Sequence, residues 1–165
     1  MQEIKKRIKD EAQGIERESS ILAKGHYFAA GRWDRVNLTL GIPATILAGV
    51  TSVAALSDIA GNNKAIVTGV LAIIVAALSA LTTFLNPSER ANGHKAASSN
   101  YEALRIKARL LKDIELSTDY AALDEPTKEI IKQLKELASQ FAGLNQGSLR
   151  IPRSIYKRQV KNVQE

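Results

Sequence analysis

Two uncharged apolar stretches constrain this chain more than any other feature of its sequence. No residue between Arg35 and Asp58 carries a charge, and none does between Lys64 and Glu89. Each stretch is about 20 residues long, and a helix of that length covers about 30 Å, the thickness of a bilayer's hydrocarbon core. Because lipid offers no hydrogen-bond partners, a segment that crosses it must satisfy its own backbone groups as a helix. The sequence therefore predicts two transmembrane helices.

The stretches divide the chain into five segments and predict an all-α membrane protein built on a two-helix transmembrane hairpin. We expect a cytoplasmic N-terminal helix over 1–35, transmembrane helices over 36–56 and 65–86, an external turn over 57–64, and a cytoplasmic helical region with a basic tail over 87–165. The alternative is a soluble helical bundle that buries the hairpin in its core. A helix in so small a domain normally shows a charged face, which neither stretch has.

The uneven distribution of positive charge predicts the orientation of the hairpin. Of the 23 Lys and Arg residues, eight lie in 1–35 and fourteen in 86–165, whereas the turn carries only Lys64. By the positive-inside rule, both termini face the cytoplasm and the turn faces out. The net charge of +6 suits anionic headgroups of the lipid bilayer or an anionic ligand.

Amphipathic patterns flank both stretches and predict cytoplasmic helices that pack on one another. The apolar stripe of the N-terminal helix comprises Ile4, Ile8, Ala12, Ile15, Ser19 and Leu22. The stripe that follows the second stretch is close to a heptad and comprises Ala97, Tyr101, Leu104, Ala108 and Leu111. We expect Pro43 to kink the first span and Ser88 to cap the helix after the second span. We expect a further helix to start near Asp124 and stop at Gly143, with a loop over 145–152 after it.

Small residues recur at four-residue spacing in both spans. In lipid, such a face lets helix backbones approach closely, which favours a homo-oligomer. The candidate helix-packing or pore-lining residues are Gly41, Thr45, Ala48, Gly49, Ser52, Gly69, Ala72, Ala76, Ser79 and Thr83. The alternative is that this face is common to any membrane hairpin and that its hydroxyls are simply buried against a neighbouring helix.

No catalytic or metal-binding motif is present, so we predict neither enzyme activity nor a metal or catalytic site. There is no cysteine, and no ionisable residue lies within the spans, which argues against a proton-coupled transporter. The two histidines, His26 and His94, both lie on the cytoplasmic side, where a hairpin brings them to similar depth. They are either a ligand, metal or pH site or ordinary polar residues at a helix junction.

A basic patch formed by Arg105, Lys107, Arg109 and Lys112 could bind the phosphates of a nucleotide. The alternative is a solvated helix face or a headgroup contact. The full candidate ligand-binding set is His26, Arg32, Arg90, His94, Arg105 and Arg109. We expect no cofactor. We also expect no nucleic-acid partner, because no stacking platform is apparent beyond Tyr156.

Several motifs carry a family resemblance. The chain reads AKGHYFAA over 23–30, LGIPATILAG over 40–49, FLNPSERANGHK over 84–95 and YEAL over 101–104. With the two-span architecture, these motifs resemble the SLATT family, two-transmembrane effector domains associated with SMODS nucleotidyltransferases and SLOG domains in bacterial conflict systems. The resemblance covers roughly 4–142.

The resemblance implies a pore-forming effector of the bacterial inner membrane that disrupts the membrane of infected cells, as part of an anti-phage defence that signals through nucleotides. It implies control by a cyclic nucleotide from a nucleotidyltransferase or nucleotide cyclase, or by a partner protein, through the cytoplasmic helices. It supplies no catalytic residues. Two alternatives stay open: a holin-like or accessory membrane protein without nucleotide control, and an anchor that recruits a partner through the helix over 126–142.

Overall fold

A computed structural model describes residues 2–56, 63–115 and 124–164 of the chain. These residues are almost entirely helical and contain no strand, so the predicted all-α class is confirmed. The helices in chain order are α1 (Gln2–Leu56), α2 (Lys64–Leu85), α3 (Pro87–Leu110) with a π-helical turn after it (Leu111–Glu115), α4 (Asp124–Gly147) and α5 (Arg153–Gln164). Most of the predicted external turn, 57–62, lies outside the described residues.

The chain forms two compact units. Unit 1 comprises Met1–Ala30 and Asn92–Glu165, and unit 2 comprises Gly31–Ala91. Unit 2 holds both apolar stretches, and unit 1 holds the amphipathic segments.

The first helix runs without interruption for 55 residues, from the charged N-terminal segment through the first apolar stretch. The predicted boundary between residues 35 and 36 is therefore not a break in the helix. It is the point where charged side chains give way to uncharged, mostly apolar ones within a single helix. Pro43 lies inside this helix, although its ring removes a backbone donor. Helices in membranes tolerate such an interior proline because local adjustments satisfy the freed carbonyl.

A single residue, Asn86, separates α2 from α3. Its backbone is left-handed (φ 43°), and its N–H donates to the Thr82 carbonyl at 3.0 Å, which closes α2. Pro87 then occupies the first position of α3, where its fixed φ suits the helix, and the Asn86 side chain donates to Glu89. The prediction that Ser88 caps this helix is wrong, because the helix begins one residue earlier.

The core of unit 1 joins α1, α3 and α4. All five residues of the predicted heptad, on α3 and at the start of the π-helical turn, are buried. Ile8, Ala12, Ile15 and Ser19 of the α1 stripe are buried as well, whereas Ile4 is exposed. One cluster comprises Ala12, Ile15, Leu104, Ala108, Leu111 and Leu137. Burial of a large aliphatic side chain contributes about 1.5–3 kcal/mol, so this cluster is the main attachment between the three helices.

The fourth helix continues past Gly143, its predicted stop, to Gly147. Leu144 gives the physical reason, because it packs against both hydrophobic clusters of unit 1. That burial outweighs the cost of about 1 kcal/mol for a glycine in a helix. Asn145, predicted to lie in a loop, is therefore helical, and only residues 148–152, which we call the strap, separate α4 from α5.

Unit 2 exposes its apolar side chains. The 18-residue apolar window of each long helix contains no buried residue, and both helices are long and apolar enough to cross a membrane. Half-buried positions on α2 recur every three or four residues, which marks the face that α2 packs within unit 2. These positions are Thr68, Leu71, Val75, Leu78, Thr82 and Leu85.

Candidate functional site

The two histidines of the chain meet inside unit 1. His26 comes from α1 and His94 from α3, and their Nδ1 atoms lie 2.9 Å apart. Their side chains are almost completely enclosed, with exposed fractions of 2% and 3%. At this distance one ring donates its Nδ1–H and the other accepts with its Nδ1 lone pair, so a single ring proton lies between the two facing nitrogens.

Tyr101 forms the floor of this histidine pair. Its ring stacks on His26 with centroids 5.5 Å apart and an interplanar angle of 19°. Its hydroxyl donates to Asn145 Oδ1 of α4 at 2.7 Å, and its edge meets the ring of Phe141. The heptad position that the sequence assigns to the core thus also positions a histidine.

The strap covers the residues beside the pair. A Cβ added at Gly25 would lie 2.8 Å from Ile151 Cδ1, and one added at Gly93 would lie 2.9 Å from Leu149 Cδ1. The absence of a Cβ at these two glycines lets the ends of the Ile151 and Leu149 side chains rest directly against the helix backbones. A Gly-His dipeptide occurs on each helix, at 25–26 and at 93–94. In each dipeptide the glycine contacts the strap and the histidine contributes one ring to the pair.

The surroundings of the pair favour its uncharged form. Burial, and secondarily the neighbouring His94, lowers the pKa of His26 to about 4. Burial also lowers the pKa of His94 and raises that of Tyr101, the latter against an opposing hydrogen bond with Ser148. All three groups are therefore neutral at pH 7.

The pair supplies too few ligands for a typical metal centre. Across the described ranges, no group of three or more His, Cys, Asp or Glu side chains converges to hold an ion. Zinc sites use three or four protein ligands, and the groups around the two rings here are aromatic and aliphatic. The geometry suits a shared proton better than a metal ion.

The basic patch lies in unit 1, and its side chains have partners within the chain. Arg105 Nη2 lies 2.6 Å from Glu102 Oε1, and Arg109 Nε lies 3.6 Å from Asp113 Oδ2. Lys112 Nζ lies 2.6 Å from Glu16 Oε2, and that hydrogen bond raises the pKa of Lys112. A phosphate that binds here has to compete with these carboxylates, so the patch is less available than its sequence indicates.

Lys107 completes this patch and donates to Gln140 Oε1 at 3.2 Å. The remaining two candidate ligand-binding residues, Arg32 and Arg90, belong to unit 2. The guanidinium of Arg90 stands over the Trp33 ring, 4.9 Å from its centroid, in a cation–π contact. Of the six candidates, the structure thus joins His26 and His94 directly.

The small residues of unit 2 lie mostly on its outside. Gly49, Ser52 and Thr45 of α1 are exposed, while Gly41 and Ala48 are half-buried. All five candidates on α2, Gly69, Ala72, Ala76, Ser79 and Thr83, are exposed. A Cβ added at Gly41, Gly49 or Gly69 would meet nothing within 4 Å, so close approach within the chain does not explain these glycines.

Hydroxyl groups in both spans bond to their own helix. Thr45 Oγ1 donates to the Gly41 carbonyl at 2.9 Å, and Ser52 Oγ donates to the Ala48 carbonyl at 2.9 Å. On α2, Thr82 Oγ1 donates to the Leu78 carbonyl at 2.9 Å. Each hydroxyl proton is thus satisfied without water, while the oxygen keeps lone pairs for an incoming donor.

Comparisons with protein-family models, curated proteins and solved structures found no match. Function therefore has to be inferred from the residues of this chain.

Sequence reasoning missed the strap residues Leu149 and Ile151, which it assigned to a plain loop. The repeated Gly-His dipeptide is the signal that could have found them, because a glycine beside a functional residue leaves room for a neighbouring group to approach the backbone closely. The i, i+2 spacing of Leu149 and Ile151 is a second signal, since it puts two apolar side chains on one side of an extended segment.

Proposed function

We propose that this chain is a SLATT-like, homo-oligomeric pore-forming effector of the bacterial inner membrane, gated through unit 1 by a cyclic nucleotide or a partner protein. Its role would be to permeabilise the membrane as part of nucleotide-signalling anti-phage defence. Unit 2 would form the hairpin in the membrane, and both termini would lie in the cytoplasm. The single observation that carries the proposal is that two span-length apolar helices contain no buried residue in their apolar windows.

The exposure of these helices separates the proposal from a soluble bundle. A soluble protein that carried such helices would bury them as its core, whereas neither apolar window here contains a buried residue. Contiguous apolar surface of this extent is unstable in water and stable in lipid. A membrane location therefore fits unit 2 better than any soluble arrangement of the same chain.

The outward small-residue faces support assembly. Between two membrane helices, small residues add stability by permitting close van der Waals contact, and here that capacity is unused within one chain. An open apolar groove of ≈ 570 Å³ passes Gly49 in unit 2. Its lining residues are Ile46, Gly49, Val50, Val53, Ala54, Val67 and Leu71. A helix of a second copy is a suitable occupant for such a surface.

The self-bonded hydroxyls suit a protein with both a closed and an open state. Bonded to its own helix, a threonine or serine tolerates contact with lipid or another helix. Its oxygen still accepts from water when a pore opens, as at Thr45 and Ser52. With no charged residue in either span, a pore lined this way would discriminate poorly between ions.

Gating through unit 1 is supported by chain connectivity. Both α1 and α3 contribute residues to each of the two units. A change of packing in unit 1 therefore has two helices through which it can act on unit 2. Arg105 and Arg109 each pair with a carboxylate of this chain. A nucleotide that binds here would replace these ion pairs with contacts to its phosphates.

The anchor alternative has less support. It requires an apolar face on α4 that is free to recruit a partner, yet Ile130, Leu134 and Phe141 pack against the clusters of unit 1. The holin-like alternative shares unit 2 with the proposal and differs only in lacking nucleotide control.

Dye leakage from liposomes that contain the purified full-length protein tests the proposal, with and without a panel of cyclic nucleotides. Leakage that one nucleotide switches on or off is the expected result, and Arg105→Glu with Arg109→Glu should shift that dose-response. Leakage that ignores every nucleotide supports the holin-like alternative, and an absence of leakage under all conditions contradicts the pore itself.

A further inference from the structure

The histidine pair can hold only one ring proton between its facing nitrogens without repulsion. With Nδ1 atoms 2.9 Å apart, the neutral pair places one N–H against one lone pair. One added proton can sit on the other nitrogen of the donor ring and leaves this hydrogen bond in place. Two added protons give each ring two N–H groups and a positive charge, so that two N–H donors face each other at this distance. Like charges this close, away from water, repel strongly, so a doubly protonated pair has to separate.

Within the described residues, the contacts of the two rings are with each other and with uncharged groups. From α3, Tyr101 stacks on His26 as a neutral ring, and from α4, Asn145 accepts the tyrosine hydroxyl. The strap contributes the aliphatic side chains of Leu149 and Ile151. Within the part of the chain that the structure describes, no Asp or Glu carboxylate forms an ion pair with either imidazole.

The strap depends on the same two helices that carry the rings. Ile151 rests on Gly25, one residue before His26, and Leu149 rests on Gly93, one residue before His94. A separation of α1 and α3 at the rings therefore changes the spacing of the two glycines on which the strap sits. Ser98 Oγ donates across the same contact to the Ala23 carbonyl at 2.9 Å, so this bond would be stretched as well.

We propose that the His26–His94 pair is a proton-binding site that holds the strap closed when neutral and releases it when the pair takes up further protons in acid. The proposal concerns unit 1 alone and holds whether or not the protein permeabilises membranes. If unit 1 does gate unit 2, acidification would be a second input beside the nucleotide.

The direction of the effect follows from proton linkage. Burial lowers the pKa of His26 from its ordinary value of 6.5 to about 4, so the released form binds more protons between these values. The closed form is thus fully favoured above pH 6.5 and loses stability as the pH falls toward 4. For one proton, release becomes about tenfold more favourable per pH unit, up to about 300-fold in total.

The test uses the tag-free, full-length protein in lipid nanodiscs, where histidine-selective isotope labelling gives resonances from two residues only. The ring titrations are followed by NMR, and hydrogen exchange of the strap peptide is measured over the same pH range after correction for intrinsic rates. We expect both rings to titrate below pH 6.5 and strap exchange to rise in step with them. A peptide around Leu137 reports global unfolding and should stay protected.

Two results would overturn the proposal. One is a ring that titrates near pH 6.5, which would mean that the closed pair tolerates its charge. The other is a strap that stays protected while both rings titrate. The double variant His26→Gln, His94→Gln keeps a donor facing an acceptor without a titrating ring, so its strap exchange should lose the pH dependence. If this variant does not fold, the wild-type titration alone decides.

Discussion

Small residues are buried between helices in unit 1 and exposed on the outside of unit 2. In unit 1, Ala23, Ala97 and Ala108 are buried between helices, where their size lets α1 and α3 approach. In unit 2, Gly49, Gly69 and Ala76 lie on the outside, with open space beside the glycines. The small residues of unit 1 are therefore packed against helices of the same chain, whereas those of unit 2 are left exposed.

Polar groups show the same contrast. In unit 1, the Ser98 hydroxyl reaches across to another helix, and the Tyr101 hydroxyl reaches from α3 to α4. In unit 2, the Thr45 and Thr82 hydroxyls bond to their own helices. Unit 1 is held by contacts between helices, as in a soluble bundle, whereas each helix of unit 2 satisfies itself, as lipid requires.

The largest expected effect is on the exposed small residues of unit 2. Gly49→Leu and Ala76→Leu should each abolish dye leakage while leaving membrane insertion and helicity unchanged. Both positions are exposed, and a Cβ added at Gly49 would meet nothing within 4 Å, so the loss would arise between copies. Ile73→Leu, at a large residue that is 70% exposed, is the matched control and should leak like the wild type. Unchanged leakage in both test variants would contradict the claim that the pore needs close helix packing between copies.

The next effect is on the aromatic floor of unit 1. Tyr101→Ala should destabilise unit 1 by about 3–5 kcal/mol, because it leaves a cavity under His26 and unpairs Asn145. Tyr101→Phe keeps the stack and should cost only about 1 kcal/mol. Urea titrations monitored by hydrogen exchange measure both. Equal losses in the two variants would mean that the hydroxyl, rather than the ring, stabilises the pair.

The smallest effects compare hydroxyls across the two units. Ser98→Ala breaks a bond between helices and should cost about 1 kcal/mol. Thr45→Val removes a bond within one helix and should change stability by less than about 0.5 kcal/mol. Unfolding midpoints of the two variants in the same detergent provide the comparison, and a larger loss for Thr45→Val would contradict the self-satisfied character of unit 2.

Helix location and the core of unit 1 could be predicted from the sequence. The spacing of Ala97, Tyr101 and Leu104 reports a buried face directly, because a helix repeats every 3.6 residues. The ends were less predictable. Gly143 predicts the end of α4 from local sequence alone. The helix continues because Leu144 packs against both hydrophobic clusters of unit 1, and a local pattern contains no information on such tertiary contacts.

The candidate site could be predicted only in part. The predicted hairpin places His26 and His94 at similar depth, but their contact depends on the register of α1 against α3. The pairing of Arg109 with Asp113 follows a four-residue spacing that was available in the sequence. The pairing of Lys112 with Glu16 joins residues 96 positions apart, and no local pattern reveals it.

Topology mapping tests the central claim, that unit 2 crosses the membrane twice, most directly. The chain has no cysteine, so single substitutions provide unambiguous labels. In sealed membranes, Asn63→Cys should react with an impermeant maleimide only from the external side, and Arg158→Cys only from the cytoplasmic side. Reaction of both positions from the same side would contradict the account.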